Sequence, residues 1–357
     1  MITHQWVFDD SYPSTILHRH SEIKQLSRSL EPAIHGNRPD DVLIYGPSGV
    51  GKTSTMQAVL RDMKQRASLN SATIECSGST RWQILDEAVS KHPADTAVMS
   101  NTPREVLVEL LEKITTEPYI VVLDEADIIP DLNVLSDLFS AENVSVVAIA
   151  HDKTEWLHRL DDDVAANFPA DSQIEFEKYH QEEVVDILKP RAREGLEPGA
   201  ANIGQFEWIA DETAGVARYA IKSLLAAAEL AEERNHDRLH ERDVDDSFER
   251  ARSKIRKDNL QSLPPVYHRM YELARRLEQP VAASVLKDAY QRNQEAIAGS
   301  AKPVSWRRAR DYLAKMVDYK LITAPGVTQS KKYEVVDPDL EAPTDVEFDL
   351  EKSGLAD

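Results

Sequence analysis

The stretch LIYGPSGVGKTSTMQAVL, Leu43 to Leu60, decides the fold of this 357-residue chain. Gly46-Pro47-Ser48-Gly49-Val50-Gly51-Lys52-Thr53 fits G-x-x-x-x-G-K-[ST] without deviation, and Ser54 follows it. A β-branched run precedes the glycines and a helical pattern follows, so the loop joins a strand to a helix. Glycines let the backbone wrap closely, which turns N–H groups and the helix N-terminus toward phosphate oxygens. Lys52 would reach the β- and γ-phosphates of a nucleoside triphosphate, and the Thr53 hydroxyl would ligate Mg²⁺.

Outward from that loop, DVLIYG, SATIEC, YIVVLDE and VSVVAIA read as buried strands separated by helical patterns. Such alternation predicts a parallel α/β sheet. YIVVLDEAD delivers Asp124 and Glu125 to the carboxyl edge of that sheet, where open α/β sheets bind ligands. Asp124 would support Mg²⁺, and Glu125 could polarise an attacking water. After QIEFEKY the spacing becomes helical, and Ser262-Leu263-Pro264-Pro265 punctuates the chain.

Composition bounds the rest. The single cysteine, Cys76, excludes a disulfide framework and a four-cysteine zinc site. No apolar run is long enough for a membrane span, and the first residues have no signal-peptide pattern, so a cytoplasmic protein without membrane contact is expected. The formal charge is -20, but Arg250 to Glu334 holds 18 Lys and Arg against 8 Asp and Glu, a net of +10. An acidic body carrying a basic module suggests that the module meets a polyanion.

In that module PPVYHRMYELARRL, AASVLKDAYQRNQEAI and SWRRARDYLAKMVDYKLI read as three helices, the third capped by Ser305. LITAPGVTQSKKYEVV reads as a hairpin whose tip runs from Gln329 to Lys332. The pattern resembles a winged helix. Arg307, Arg308 and Arg310 at the start of the third helix, with Lys331 and Lys332 in the wing, are the expected DNA contacts.

The order P-loop, acidic strand, further strand and helical lid resembles the AAA+ ATPases. That resemblance makes His151, after VVAIA, the γ-phosphate sensor in a position commonly held by Asn. It makes Arg218, in AGVARYAIKSLL, the lid arginine that leans onto the phosphate. With the winged helix added, the chain resembles the archaeal relatives of the origin-recognition complex and the Cdc-six loader over residues 8–336. Arg19 and Glu22 match that family's segment flanking the adenine, while Tyr179 and Arg191 hold its nucleotide-contacting lid positions. Asp163 stands where family members usually carry an arginine that reaches a neighbouring subunit's ATP.

The resulting expectation is an AAA+ core over 1–178, a helical lid over 179–260, a winged helix over 261–337 and a disordered acidic tail over 338–357. The resemblance implies an initiator that binds ATP and Mg²⁺, recognises double-stranded origin DNA, can oligomerise on it, and helps recruit the replicative helicase. His151 and Asp163 point to slow hydrolysis, with ATP mainly a switch. A DNA-binding regulator that loads no helicase, and a clamp-loader or transposition-helper ATPase, stay open as alternatives.

Overall fold

The computed structural model describes residues 1–350 except Ser11, Pro13, Ser14, Gly78, Asp95, Ala97, Ser300, Ala301 and 327–329. The chain separates into two compact units, Met1–Ala251 and Arg252–Asp357.

The first unit is built on five parallel strands: β1 (Val42–Tyr45), β2 (Asn70–Glu75), β3 (Tyr119–Asp124), β4 (Val144–Ala150) and β5 (Gln173–Glu175). Their spatial order is β2-β3-β4-β1-β5, with the P-loop strand between β4 and β5. Every residue of β3 and β4 is buried, as a central parallel strand covered on both faces requires. Alternation assigns the two faces. Leu43, Val121, Leu123, Val146 and Ala148 pack with α3 (Arg81–Ser90), α4 (Arg104–Ile114) and α5 (Asn133–Ser140). Val42, Ile44, Ile120, Val122, Val147 and Ile149 pack with α1 (His20–Leu30) and α2 (Lys52–Arg66). The short helices α6 (Lys153–Leu157) and α7 (Asp162–Ala165) follow β4.

The lid has its own core, formed by α8 (Gln181–Gly195), α9 (Ile203–Glu212), α10 (Ala217–Glu233) and the first half of α11 (Glu241–Ser262). Val7 and Phe8 are fully buried in that cluster. The first residues of the chain thus pack on the lid, whereas the sequence reading grouped them with the sheet domain.

In the second unit, α12 (Pro265–Arg276), β6 (Val281–Ala282), α13 (Ala283–Ala298), α14 (Trp306–Asp318), β7 (Ile322–Thr323) and β8 (Lys332–Val335) surround one core. The sheet order is β6-β8-β7, both pairs antiparallel. Helix, strand, helix, helix, strand, strand is the element order expected of a winged helix. Strand β6 is too short to carry its own pattern and was missed by the sequence reading.

The expected tail disorder does not hold over residues 338–350. Buried Glu272 accepts the Ala342 N–H at 2.9 Å and bonds both Arg275 and Arg276. Asn293 exchanges two hydrogen bonds with the Asp349 backbone, at 2.9 and 2.7 Å. Leu340, Phe348 and Leu350 pack against the core, and Ala342 is buried within it. Four widely spaced apolar side chains without a period are enough to dock a segment whose backbone finds buried polar partners.

Candidate nucleotide site and basic face

The loop after β1 takes its shape from conformations that only glycine adopts without strain. Gly46 has φ +139°, and a Cβ there would lie 2.2 Å from the Phe176 carbonyl oxygen. Gly49 has φ +77°, and a Cβ would press on Val216 and Arg218 of the lid. The Gly46 N–H donates to the His151 carbonyl at 3.2 Å, which ties the loop to the end of β4. Lys52 is buried and its Nζ donates to the Gly46 and Pro47 carbonyls at 2.6 and 2.8 Å. The ammonium therefore sits inside the curl of the loop, against its carbonyls.

Across the loop, Thr53 Oγ1 donates to Asp124 Oδ1 at 3.1 Å. Burial raises the Asp124 pKa, and the neighbouring Glu125 charge adds to it, against the opposing Thr53 bond. A buried carboxylate with a penalised negative charge beside a half-buried hydroxyl fits a hard divalent cation, which takes oxygen ligands. Thr53 and Asp124 are the residues that would hold Mg²⁺ here. Glu125 adopts a left-handed backbone, φ +55°, and its carboxylate accepts from Ser77 Oγ at 3.2 Å. Such conformations cost of order 1 kcal/mol and gather at functional sites.

The remaining expected site residues fall into one neighbourhood but are bonded inward. Arg19 is 4 % exposed. Its guanidinium donates to Glu22 at 2.8 Å, the Val50 carbonyl at 3.0 Å and the Glu177 carbonyl at 2.6 Å. It also lies 3.9 Å from the Tyr179 ring centroid. One side chain thereby joins the start of α1, the P-loop and the entry to the lid. Arg191 donates to the Val7 carbonyl and stacks on Tyr12, and burial lowers its pKa. The Arg218 backbone N–H donates to the Gly49 carbonyl at 3.1 Å, while Nε lies 3.0 Å from Asp10 Oδ2. No local pattern marks Asp10, so sequence reasoning missed this ion pair; the positions are 208 residues apart.

His151 Nδ1 lies 2.9 Å from Asp127 Oδ2. A carboxylate only accepts, so Nδ1 carries the proton. A neutral ring then offers Nε2 as an acceptor, and only the imidazolium could donate to a phosphate. Arg159, after α6, donates to the Asp127 and Ile129 carbonyls. Asp163 is exposed on α7.

In the second unit, Ala309, Leu313 and Met316 bury one stripe of α14. Arg307 and Arg310 are exposed and Arg308 is half-buried. Ser305 occupies the N-cap position, but its side chain makes no capping bond; its carbonyl accepts from Ala309 N–H at 2.9 Å. Lys332 is exposed at the start of β8, and the half-buried Lys331 has its Nζ 5.3 Å from the Tyr333 ring centroid. Gln329 of the expected wing tip lies outside the described residues.

A five-stranded parallel sheet with this P-loop and a helical lid defines an ATPase of the AAA+ class. Residues 15–149 match the family model of the AAA ATPase domain, and residues 185–249 match the Cdc6 AAA+ ATPase-type lid domain. An ORC1-type DNA replication protein of Halobacterium salinarum is 30% identical over 334 residues, covering 91% of each chain. The chain belongs to the family of ORC1-type DNA replication proteins. The fold is similar to that of the Aeropyrum pernix ORC1 protein solved in complex with DNA, with TM-score 0.70, 24% identity and coverage of 94% and 93% of the two chains. It is also similar to Cdc6p of Pyrobaculum aerophilum, with TM-score 0.64, 20% identity and coverage of 94% of each. No described helix is long and apolar enough to cross a membrane.

Proposed function

We propose that this chain is an ATP-binding initiator that recognises origin DNA and helps recruit the replicative helicase. The observation that carries the reading is the pairing of an intact phosphate loop with an exposed basic helix start in one chain of this family. In this reading Gly46 to Ser54 cradle the phosphates, Thr53 and Asp124 hold Mg²⁺, and Glu125 orients water. Arg19, Tyr179, Arg191 and Arg218 border the nucleotide. Arg307, Arg308, Arg310, Lys331 and Lys332 meet duplex DNA, most of their affinity coming from counterion release. The family relative solved with DNA supports a DNA partner.

A second reading is favoured by two positions: a regulator that uses ATP as a structural switch and loads no helicase. His151 is committed to Asp127, and Asp163 offers no positive charge to a neighbour's nucleotide. Both features lower the expected rate of hydrolysis. Genome-wide mapping of the protein's DNA occupancy, with co-purification of the replicative helicase, separates the two. Occupancy centred on origins together with helicase capture supports the initiator; occupancy of promoters without helicase overturns it.

A further inference from the structure

The turn from α10 to α11 reads Arg234-Asn235-His236-Asp237-Arg238-Leu239-His240-Glu241-Arg242-Asp243 and contributes nothing to the sites above. It is held rigidly. The His236 N–H donates to the Ala231 carbonyl and the Leu239 N–H to the Ala200 carbonyl, both at 2.8 Å, and Gln205 Nε2 donates to the Leu239 carbonyl at 2.7 Å. Beneath it lies Asp243, fully buried. Asp243 Oδ2 accepts from His236 Nδ1 at 2.7 Å and from the His240 N–H at 2.9 Å, while Oδ1 accepts from Arg234 at 2.8 Å. Burial alone would raise its pKa, but these donors hold it below the ordinary carboxylate value.

The consequence concerns the imidazoles. With Nδ1–H given to the carboxylate, His236 keeps its Nε2 lone pair for something else. The His240 ring stacks on it at 4.0 Å between centroids and 20° between planes. His236 is partly exposed and His240 exposed, and the candidate ligand atoms of His236, His240 and Asp243 lie within 4.8 Å of one another.

We propose that His236, its ring oriented by the carboxylate of Asp243, and the stacked His240 form a surface site for a divalent transition-metal ion of the zinc type, with water completing its coordination. Imidazole nitrogen prefers zinc, nickel or copper over Mg²⁺, whereas Thr53 and Asp124 offer only hard oxygen. A carboxylate fixing the tautomer and ring of a histidine is the usual support behind a ligating imidazole. Arg234, which shares Asp243 with His236, is paired with Asp243 and Asp246. A metal here would brace the start of α11, through which the chain leaves its first unit.

The test titrates the full-length chain, stripped with a chelator, with Zn²⁺, Ni²⁺ and Mg²⁺ by calorimetry. One equivalent of Zn²⁺ is expected, with Ni²⁺ also bound and Mg²⁺ not bound at the turn. His236→Gln and the exposed His240→Gln should lose this uptake while melting close to wild type without metal. Asp243→Asn should weaken it about 10–100-fold where the variant folds. Asp124→Asn serves as the control for zinc at the phosphate loop and should leave uptake intact. Absence of uptake by the wild type, retention in His240→Gln, or loss in Asp124→Asn overturns the site.

Discussion

Arg19, Arg191 and Arg218 of the first unit are bonded to carbonyls and carboxylates of their own chain, whereas Arg307 and Arg310 of the second unit are exposed. The same side chain serves two ends. A planar fork of five donors closes several segments around the phosphate loop when it is buried. When it is solvated at a helix start, it keeps its charge for a polyanion. The contrast teaches that a family-matched arginine near a nucleotide is also structural, so its loss should register in stability before it registers in affinity. For the exposed arginines the order is reversed.

The largest effects are expected where both uses meet, in the first unit. Lys52→Ala removes a charge-assisted partner of the phosphates, worth about 2–3 kcal/mol, or roughly 100-fold in ATP affinity. Equilibrium binding of a fluorescent ATP analogue checks this, and wild-type affinity in the variant would mean that the loop does not bind nucleotide. Arg19→Ala strands the Val50 and Glu177 carbonyls and the Glu22 carboxylate around a cavity. A stability loss of about 3–5 kcal/mol follows from breaking such a buried pair. Arg307→Ala should stay within about 0.5 kcal/mol of wild type. Denaturant unfolding of both variants breaks the comparison if their losses are alike.

Of intermediate size is the effect of Asp124. Its raised pKa means that its stability contribution is present below the unfolded-state pKa and lost as pH rises through the folded-state value. Wherever the carboxylate is ionised, its charge therefore stands against its burial. Asp124→Asn can still accept from the Thr53 hydroxyl, so the nucleotide-free protein should melt a few degrees higher, while the Mg²⁺ dependence of ATP binding disappears. The melting advantage should shrink as pH falls. A lower melting temperature at every pH would show that the carboxylate is not strained.

The sheet and its loop were legible because their signals are local. Four apolar runs, a glycine-rich loop and two acidic residues at a strand end each fit within about ten residues. What escaped the sequence was long-range. Asp10 reaches Arg218, Val7 and Phe8 reach the lid, and Asp349 reaches Asn293, each across a separation with no periodic trace. The tail looked disordered because it is acidic and patternless, yet Glu272 and Asn293 supply the buried partners its backbone needs. Arg275 and Arg276, which entered the +10 count, are paired with Glu272, and Arg275 also with Glu341. The positive face is therefore narrower than the count implied, while Arg307 and Arg310 of α14 and Lys332 at the start of β8 are exposed.

That narrowing sharpens the last and smallest prediction. Each lysine contacting phosphate contributes about 0.9 to the log–log salt slope of duplex binding. Lys332→Ala should weaken binding to an origin duplex and a scrambled duplex alike and flatten the slope by about one unit. Arg307→Ala should instead cost discrimination between the two, about 1–3 kcal/mol if it makes a bidentate contact with guanine. Arg275→Ala should change neither, because its guanidinium is already neutralised by Glu272 and Glu341. The measurement is a salt titration of a fragment spanning residues 252–350. That span keeps the docked tail, whereas a fragment ending at Val336 would expose the surface that Leu340, Phe348 and Leu350 cover. If the fragment binds neither duplex at low salt, or if Arg275→Ala flattens the slope as much as Lys332→Ala, the outward arginines of α14 are not the DNA face. The contrast between the two units would then lose its functional half.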